Sequence, residues 1–136
     1  MRDSSTMFEE FWWIEGRVRY TRFIGVSRIE DVMSIDERLV DFLDASSHPI
    51  HFVVDVRDMT QPPPLTQSLK IGHMRHANTG WVIMVGSQQN AVLRFMASIA
   101  FKVFGTKYKE CSTLEEAVEF LKQADPDLSE MSVVGL

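Results

Sequence analysis

The stretch HFVVDVRDMTQPPPLT, from His51 to Thr66, decides the fold of this chain. It opens with aromatic and β-branched residues that are apolar at adjacent as well as alternate positions: Phe52, Val53, Val54 and Val56. A strand that is apolar on both faces is typical of the middle of a sheet covered by helices. The residues from Asp55 to Thr60 are therefore expected just past the carboxyl end of this strand, where open α/β sheets place their sites.

Strand patterns precede this stretch. Two aromatic-rich runs, 11–14 and 18–26, are separated by Glu15-Gly16, and glycine permits the positive φ of a tight turn. A β-hairpin is the simplest interpretation. Along the second run, alternation leaves three polar residues on one face, which we expect to be partly solvated: Arg17, Arg19 and Thr21.

Helix and strand patterns alternate through the rest of the chain. A Ser27-to-Glu30 capping box predicts a helix to about Ala45, with a second box at Ser34. A short helix is expected at 65–74 and a strand at 81–85. An apolar helix follows at 91–104 and stops at Gly105. The last two expected elements are a strand at 107–111 and an amphipathic helix that begins at the Thr113 capping box. This order predicts an α/β fold with a mostly parallel sheet, opened by an antiparallel hairpin. We expect one domain over 1–136, with an ordered core at about 8–124 and tails at 1–7 and 126–136.

Composition narrows the classes of function. The 136 residues carry a net charge of −5, which argues against nucleic acid or an anionic membrane as partner. Cys111 is the one cysteine, so no intramolecular disulfide can form, and a structural role is the simplest for it. No run reaches transmembrane length, and the first residues lack the apolar core of a signal peptide. We expect a cytoplasmic protein without a cofactor.

The element order, the VVDVRDMT stretch and the GWVIMVG strand (Gly80–Gly86) together resemble the STAS domain, the fold of anti-sigma-factor antagonists, and its uncharacterised bacterial relatives. The resemblance covers about 8–124. It implies a non-catalytic regulatory domain in bacterial signalling that binds a protein partner or itself. In regulatory STAS domains a kinase phosphorylates a serine in an Asp-Ser-Ser-Gly-like run. This chain has Asp58-Met59-Thr60 and three prolines there, so the resemblance implies Thr60, and next Thr66, as phospho-acceptor.

Polar residues cluster where two adjacent strands are expected to end. Two helices begin beside them, and free N–H groups there favour a phosphate or carboxylate. The alternative is that they are turn and cap residues that satisfy backbone groups. The predicted rim consists of Asp55, Arg57, Asp58, Thr60, Ser87, Gln88 and Asn90.

The histidines offer a second constellation, in two pairs of equal spacing: His48 with His51, and His73 with His76. If the pairs met at one pole of the sheet, four imidazoles would suit zinc or copper. Solvated surface histidines are the alternative, and neither pair has a cysteine near it. We expect no metal.

The apolar helix 91–104 offers a third constellation. It is expected in the core, but any bare part of its circumference would serve as a dimer face or an apolar ligand groove. The alternative function is therefore a small-molecule or lipid-binding protein that uses this helix and the loops after the central strands. No base, nucleophile and oxyanion donor can be assembled from the sequence, so we expect no enzyme.

Overall fold

The structure, a computed structural model, describes residues 7–133. One sheet holds five strands in chain order: β1 (Met7–Ile14), β2 (Val18–Val26), β3 (Ile50–Gln61), β4 (Thr79–Val85) and β5 (Tyr108–Cys111). β1 and β2 pair antiparallel, and the other neighbours pair parallel. The predicted fold class is confirmed, and β3 lies in the middle of the sheet.

Helices cover both faces of the sheet. Along the described chain they are α1 (Ile29–Ala45), α2 (Leu65–Ser68), α3 (Ala91–Phe104) and α4 (Leu114–Ala124). The crossovers from β2 to β5 all step in one direction across the sheet, so right-handed connections place their helices on one face. α1 and α3 accordingly share one core with β3, and α4 packs on the opposite face.

β3 contributes to both cores by alternation. Phe52 and Val56 pack under α1 and α3, whereas Val53 packs under α4. Both cores are dominated by aliphatic and aromatic side chains, and burial of such surface is the main favourable term in folding. The middle strand is therefore the element that the two layers share.

The predicted end of the central strand is wrong. The segment 55–60 lies inside β3 and not in a loop beyond it. β2 extends alongside as a parallel partner, with Ile24 opposite Asp58 and Val26 opposite Gln61. β4 ends at Val85, opposite Asp55. The last residues of β3 therefore pair with β2 on one side and, among the described residues, have no strand on the other.

The predicted helix over 65–74 is also wrong. α2 is a single turn, and a 3₁₀ turn follows at His73–Arg75. The Asp36 carboxylate on α1 accepts hydrogen bonds from the backbone N–H groups of Gly72 and His73. Because the Asp36 side chain accepts from these N–H groups, the backbone of this crossover is hydrogen-bonded without the regular hydrogen bonds of an α-helix.

The predicted partial solvation of Arg17, Arg19 and Thr21 holds for Arg17 alone. The Arg17 side chain, just before β2, is 26% exposed, whereas Arg19 and Thr21 are 8% and 5% exposed. The Arg19 guanidinium lies over the rings of Trp12 and Phe42, at 5.2 and 5.1 Å from their centroids, and it pairs with Glu10 at 3.5 Å. Cation–π contacts and an acidic neighbour allow the charge to be buried there.

The predicted capping residue is present at the start of α4 but not at the start of α1. Thr113 caps α4 by accepting from the Glu116 backbone N–H. α1, however, is unbroken through Ser34, and its first flanking residue, Arg28, makes no side-chain cap bond. The hydroxyl of Ser27 is buried in the protein instead of capping the helix.

Two glycines allow a matched test of how the end of β4 approaches β3. Gly86 and Gly105 both have left-handed backbone, with φ of 93° and 67°. A Cβ at Gly86 would lie 3.0 Å from the Cα of Arg57, whereas one at Gly105 would meet nothing within 4 Å. We expect Gly105→Ala to lower the free energy of unfolding by about 1 kcal/mol, the cost of the left-handed conformation. Gly86→Ala should cost clearly more in urea denaturation, and equal losses would contradict the close approach.

Candidate functional site

Asp55, at the centre of the predicted rim, is fully buried and saturated with hydrogen bonds. Its Oδ2 accepts from the Tyr20 hydroxyl at 2.6 Å and from Arg57 Nη2 at 2.7 Å. Its Oδ1 accepts from Arg57 Nε at 2.9 Å and from the Arg57 backbone N–H at 3.1 Å. This carboxylate holds the end of β3 in place and has little capacity left for a ligand.

The charges of this cluster stabilise one another. Burial alone would raise the pKa of Asp55, but hydrogen bonds from Arg57 and Tyr20 outweigh it and hold the pKa below its usual range. Burial, followed by the hydrogen bond to Asp55, raises the pKa of Tyr20 far above its ordinary value. The hydrogen bonds with Asp55 likewise raise the pKa of Arg57. Asp55 and Arg57 therefore form an ion pair, and the neutral Tyr20 hydroxyl donates a hydrogen bond to the Asp55 carboxylate.

The rest of the predicted rim on β3 faces outward. Asp58 pairs with Arg22 on β2, with Arg22 Nε 3.1 Å from its Oδ2. Thr60, the first candidate phospho-acceptor, is exposed on β3, and Thr66, the second, is exposed on α2. Both hydroxyl-bearing side chains are thus on the surface near the carboxyl end of the sheet.

The loop after β4 supplies the remaining rim residues. Gly86 packs against Arg57, so this loop and the end of β3 lie at the same pole of the sheet. Ser87 is buried and donates to Glu110 at 3.4 Å, and the Gln88 side-chain oxygen accepts from the Ser112 hydroxyl at 2.6 Å. Asn90 caps α3 by accepting from the Leu93 N–H at 3.1 Å. The structure brings Arg57 against the start of this loop, but apart from the Asp55–Arg57 pair the hydrogen-bonded rim side chains bind residues outside the rim.

The four histidines are not gathered at one place. His51 contacts Asp125 at 3.0 Å on the α4 side of the sheet, whereas His73 contacts Asp36 at 2.7 Å on the α1 side. His76 binds Asp44 at 2.7 Å, and His48 lies against Ser46 and the Pro49 carbonyl. Within residues 7–133 no three His, Cys, Asp or Glu side chains are grouped closely enough to hold a metal ion.

His51 belongs to a cluster that the sequence did not predict. Its Nδ1 accepts from the Trp81 backbone N–H at 2.9 Å, so its Nε2 carries the proton that points to Asp125. Burial lowers the pKa of His51 and keeps it neutral. Arg17 joins the same carboxylate at 3.2 Å, and this network fastens the chain after α4 to the start of β3.

α3 divides its apolar side chains between three environments. Leu93, Ala97 and Phe101 point into the core, while Met96 and Phe104 face a cavity beside it. Three large apolar side chains point to solvent: Val92, Phe95 and Val103. The sequence predicted the helix correctly but not which part of its circumference is bare.

A cavity of about 130 Å³ lies between the sheet, α1 and α3, and it is partly open to solvent. The crossover from β3 to β4 closes it with Met59, Pro62, Pro63 and Ile71. Most of its lining is apolar, and its polar lining residues are Thr21, Ser27 and His73. Leu93, Met96, Ala97, Phe101 and Phe104 of α3 line one side of this apolar space.

The Asp36–His73 pair forms part of the scaffold around this cavity. Burial would raise the pKa of Asp36, but hydrogen bonds from the His73 ring and from the backbone of His73 and Gly72 hold it below its usual range. The His73 ring also packs edge-on against Phe52, with 5.0 Å between centroids. Asp36 occupies the buried stripe of α1 beside Ile35 and Leu39, and an acidic residue at such a position was the available sequence signal for this site.

Comparison with known proteins identifies the fold. No family profile matches the sequence, and no curated protein matches it. The structure is similar to the crystal structure of an uncharacterised protein from the DUF3478 family with a SpoIIAA-like fold, from Shewanella loihica PV-4. The match has a TM-score of 0.64 and 16% identity, and it covers 89% of this chain and 98% of that one. The chain therefore has the STAS-like fold. In residues 7–133 no helix has the length and apolarity required to span a bilayer.

The buried Asp55 cluster predicts how stability depends on pH. Because the pKa of Asp55 in the folded state lies below its unfolded value of about 3.9, its contribution is complete above that value and is lost as pH falls through the folded pKa. We expect Asp55→Asn to lower the free energy of unfolding at pH 7 by about 3 kcal/mol, as for a broken buried pair. The stability of this variant should also fall less steeply between about pH 4 and pH 2.

Asp41→Asn, at an exposed position on α1, is the control for this experiment. It should change stability at pH 7 by less than about 0.5 kcal/mol. Chemical denaturation at a series of pH values measures both variants. An Asp55→Asn curve parallel to the wild type at acid pH would contradict the role given to this carboxylate.

Proposed function

We propose that this chain is a non-catalytic STAS-like binding domain in bacterial signalling, which acts through a protein partner. The observation that carries this proposal is the row of exposed apolar side chains on α3. Val92, Phe95 and Val103 are 60%, 64% and 60% exposed. At 100° per residue they fall within an arc of about 80° on one side of the helix, opposite its buried residues. We call these three residues the outer stripe of α3.

The charge around the outer stripe supports an acidic partner. From Met59 to Lys109 the sequence contains no Asp or Glu, and six cations lie in this segment: Lys70, Arg75, Arg94, Lys102, Lys107 and Lys109. All of the 19 acidic residues lie outside it. Arg94 and Lys102 are exposed on α3 itself. A partner with an apolar patch bordered by carboxylates would complement both features.

The surroundings of the nucleophilic side chains support a role without catalysis. Ser46 contacts the His48 ring at 3.4 Å, but its hydroxyl donates to the His48 carbonyl at 2.6 Å and so is not positioned as a nucleophile. Cys111 is buried, and burial raises the pKa of its thiol. Thr60 and Thr66 are both exposed, so either hydroxyl is open to a kinase if the regulation of STAS domains extends to this chain.

The outer stripe predicts where a partner binds. A photo-crosslinking amino acid at position 95 should give one defined adduct in an extract of the source cell, because this side chain lies at the centre of the apolar row. The same group at position 123, exposed on α4 across the sheet, is the matched control and should give none. Phe95→Glu should leave stability within about 0.5 kcal/mol and weaken partner binding tenfold or more.

Sedimentation of the purified chain tests the second form of the same proposal, in which the partner is another copy. The wild type should then sediment as a dimer and the Phe95→Glu variant as a monomer. A monomeric wild type that also gives no adduct from position 95 would contradict the proposed function.

A second candidate function is the binding of a small apolar molecule, and the cavity beside α3 favours it. Its lining resembles the apolar pockets that hold ligands, with a few polar groups among hydrophobic side chains. Its volume of about 130 Å³ suits a single ring and is far too small for a lipid with two acyl chains. In this function the ligand enters near the crossover from β3 to β4, next to the loops after the central strands.

Toluene is a suitable probe for this candidate, because an engineered cavity of about 150 Å³ binds benzene. Millimolar toluene should raise the melting temperature of the wild type, since a ligand that binds only the folded state stabilises it. Ala97→Leu places a larger side chain in the cavity wall and should abolish the shift. Calorimetric melting curves with and without toluene measure both effects, and equal shifts in the two proteins would exclude the cavity as the site.

A further inference from the structure

We propose that the cavity beside α3 binds a neutral, ring-sized molecule with one hydrogen-bonding group, and that the Ser27 hydroxyl pairs with that group. This inference rests on the second candidate function and specifies its ligand. It is carried by three features: the space left by the crossover, the unpartnered hydroxyl, and the absence of cations from the cavity lining.

The space follows from the crossover between β3 and β4. In most α/β units a full helix fills the position between its neighbours on the same face of the sheet. Here α2 is four residues long, and the prolines before it and the 3₁₀ turn at His73–Arg75 after it supply little bulk. A cavity therefore lies over Phe52 and Val54, lined by side chains of α1 on one side and of α3 on the other.

Ser27 supplies the polar group. It is 5% exposed and belongs to the cavity lining. Its backbone N–H donates to the Gln61 carbonyl at 2.8 Å, which fixes the residue between β2 and α1. Its Oγ has no hydrogen-bond partner among the residues that the structure describes and is itself closed to solvent, so a ligand reaches it when the side chain turns about χ1 toward the cavity. A buried hydroxyl is normally paired, and a bound ligand would provide the missing partner.

The lining also determines the charge of the ligand. Among the described residues that line the cavity there is no lysine or arginine, so a carboxylate or phosphate would be buried without a counter-ion. His73, the one basic residue in the lining, has its Nδ1 committed to Asp36 at 2.7 Å. A hydroxyl can donate or accept, so Ser27 can pair with an alcohol, a phenol or a carbonyl group. A phenol-like molecule satisfies the size, the neutrality and the single polar group together.

Phenol and toluene form a matched pair of probes, because they have nearly the same shape and differ in one hydroxyl. Phenol and toluene differ in their free energy of transfer from water to an apolar solvent, and this difference is subtracted from the difference in binding free energy. After this correction we expect the wild type to bind phenol about tenfold more tightly than toluene, which is the usual effect of one buried hydrogen bond. In Ser27→Ala this preference should disappear, while toluene affinity stays within about twofold. Titration calorimetry of both proteins with both probes measures the four affinities.

Ser27→Ala has a second readout that does not depend on a ligand. Removing an unpartnered buried hydroxyl should leave the melting temperature of the unliganded protein unchanged or raise it, whereas loss of a structural hydrogen bond would lower it. In the wild type, chemical shifts of the Ile35, Leu39 and Ala97 methyl groups should respond to phenol, which locates the site without any variant.

The outcomes separate the two proposals. If toluene binds in the cavity and phenol shows no preference that depends on Ser27, the role of Ser27 is overturned and the second candidate function stands. If neither probe shifts the cavity methyl groups, both are overturned. A preference for phenol that is lost in Ser27→Ala, with the melting temperature retained, is the result that we expect.

Discussion

A single buried carboxylate determines the shape of the region in which the cavity beside α3 lies. Asp36 accepts three hydrogen bonds at 2.7–2.9 Å, from the backbone of Gly72 and His73 and from the His73 ring. These bonds fasten an irregular crossover to α1, where a repeating helix would otherwise be needed to satisfy the backbone. Because the crossover is thin, it leaves space above the sheet between α1 and α3.

The carboxyl end of the sheet shows how tertiary contacts use polar residues for stability. Open α/β sheets place ligands at this position, and the residue types there are suitable for an anion. In this protein the strongest acceptor, Asp55, is enclosed by Arg57 and Tyr20. In the neighbouring loop Ser87 donates to Glu110 on β5, and Gln88 accepts from Ser112 after β5. The available binding surfaces lie instead on the α1 and α3 side of the sheet, in the cavity and along the outer stripe of α3.

Charge is divided unevenly in this chain, and the net value of −5 conceals the division. The 19 acidic residues lie before Met59 or after Lys109, and the segment between carries six lysines and arginines. That segment contains α3, on which Arg94 and Lys102 are exposed. An acidic protein partner and a neutral ligand in the cavity are compatible, because the outer stripe and the cavity lie on different sides of the same helix.

The sequence by itself determined the order of elements, the hairpin, the central position of β3 and the extent of α3, because these follow from periodicity and turn residues within short segments. Only the tertiary structure decided that Arg19 is buried, that the segment 65–74 is not a helix, and that Ser27 does not cap α1. Each of these outcomes depends on a partner distant in sequence: Glu10 and Phe42 for Arg19, Asp36 for the crossover, and Gln61 for Ser27. Local patterns describe what a segment prefers, whereas burial and hydrogen bonding between segments decide which preference prevails.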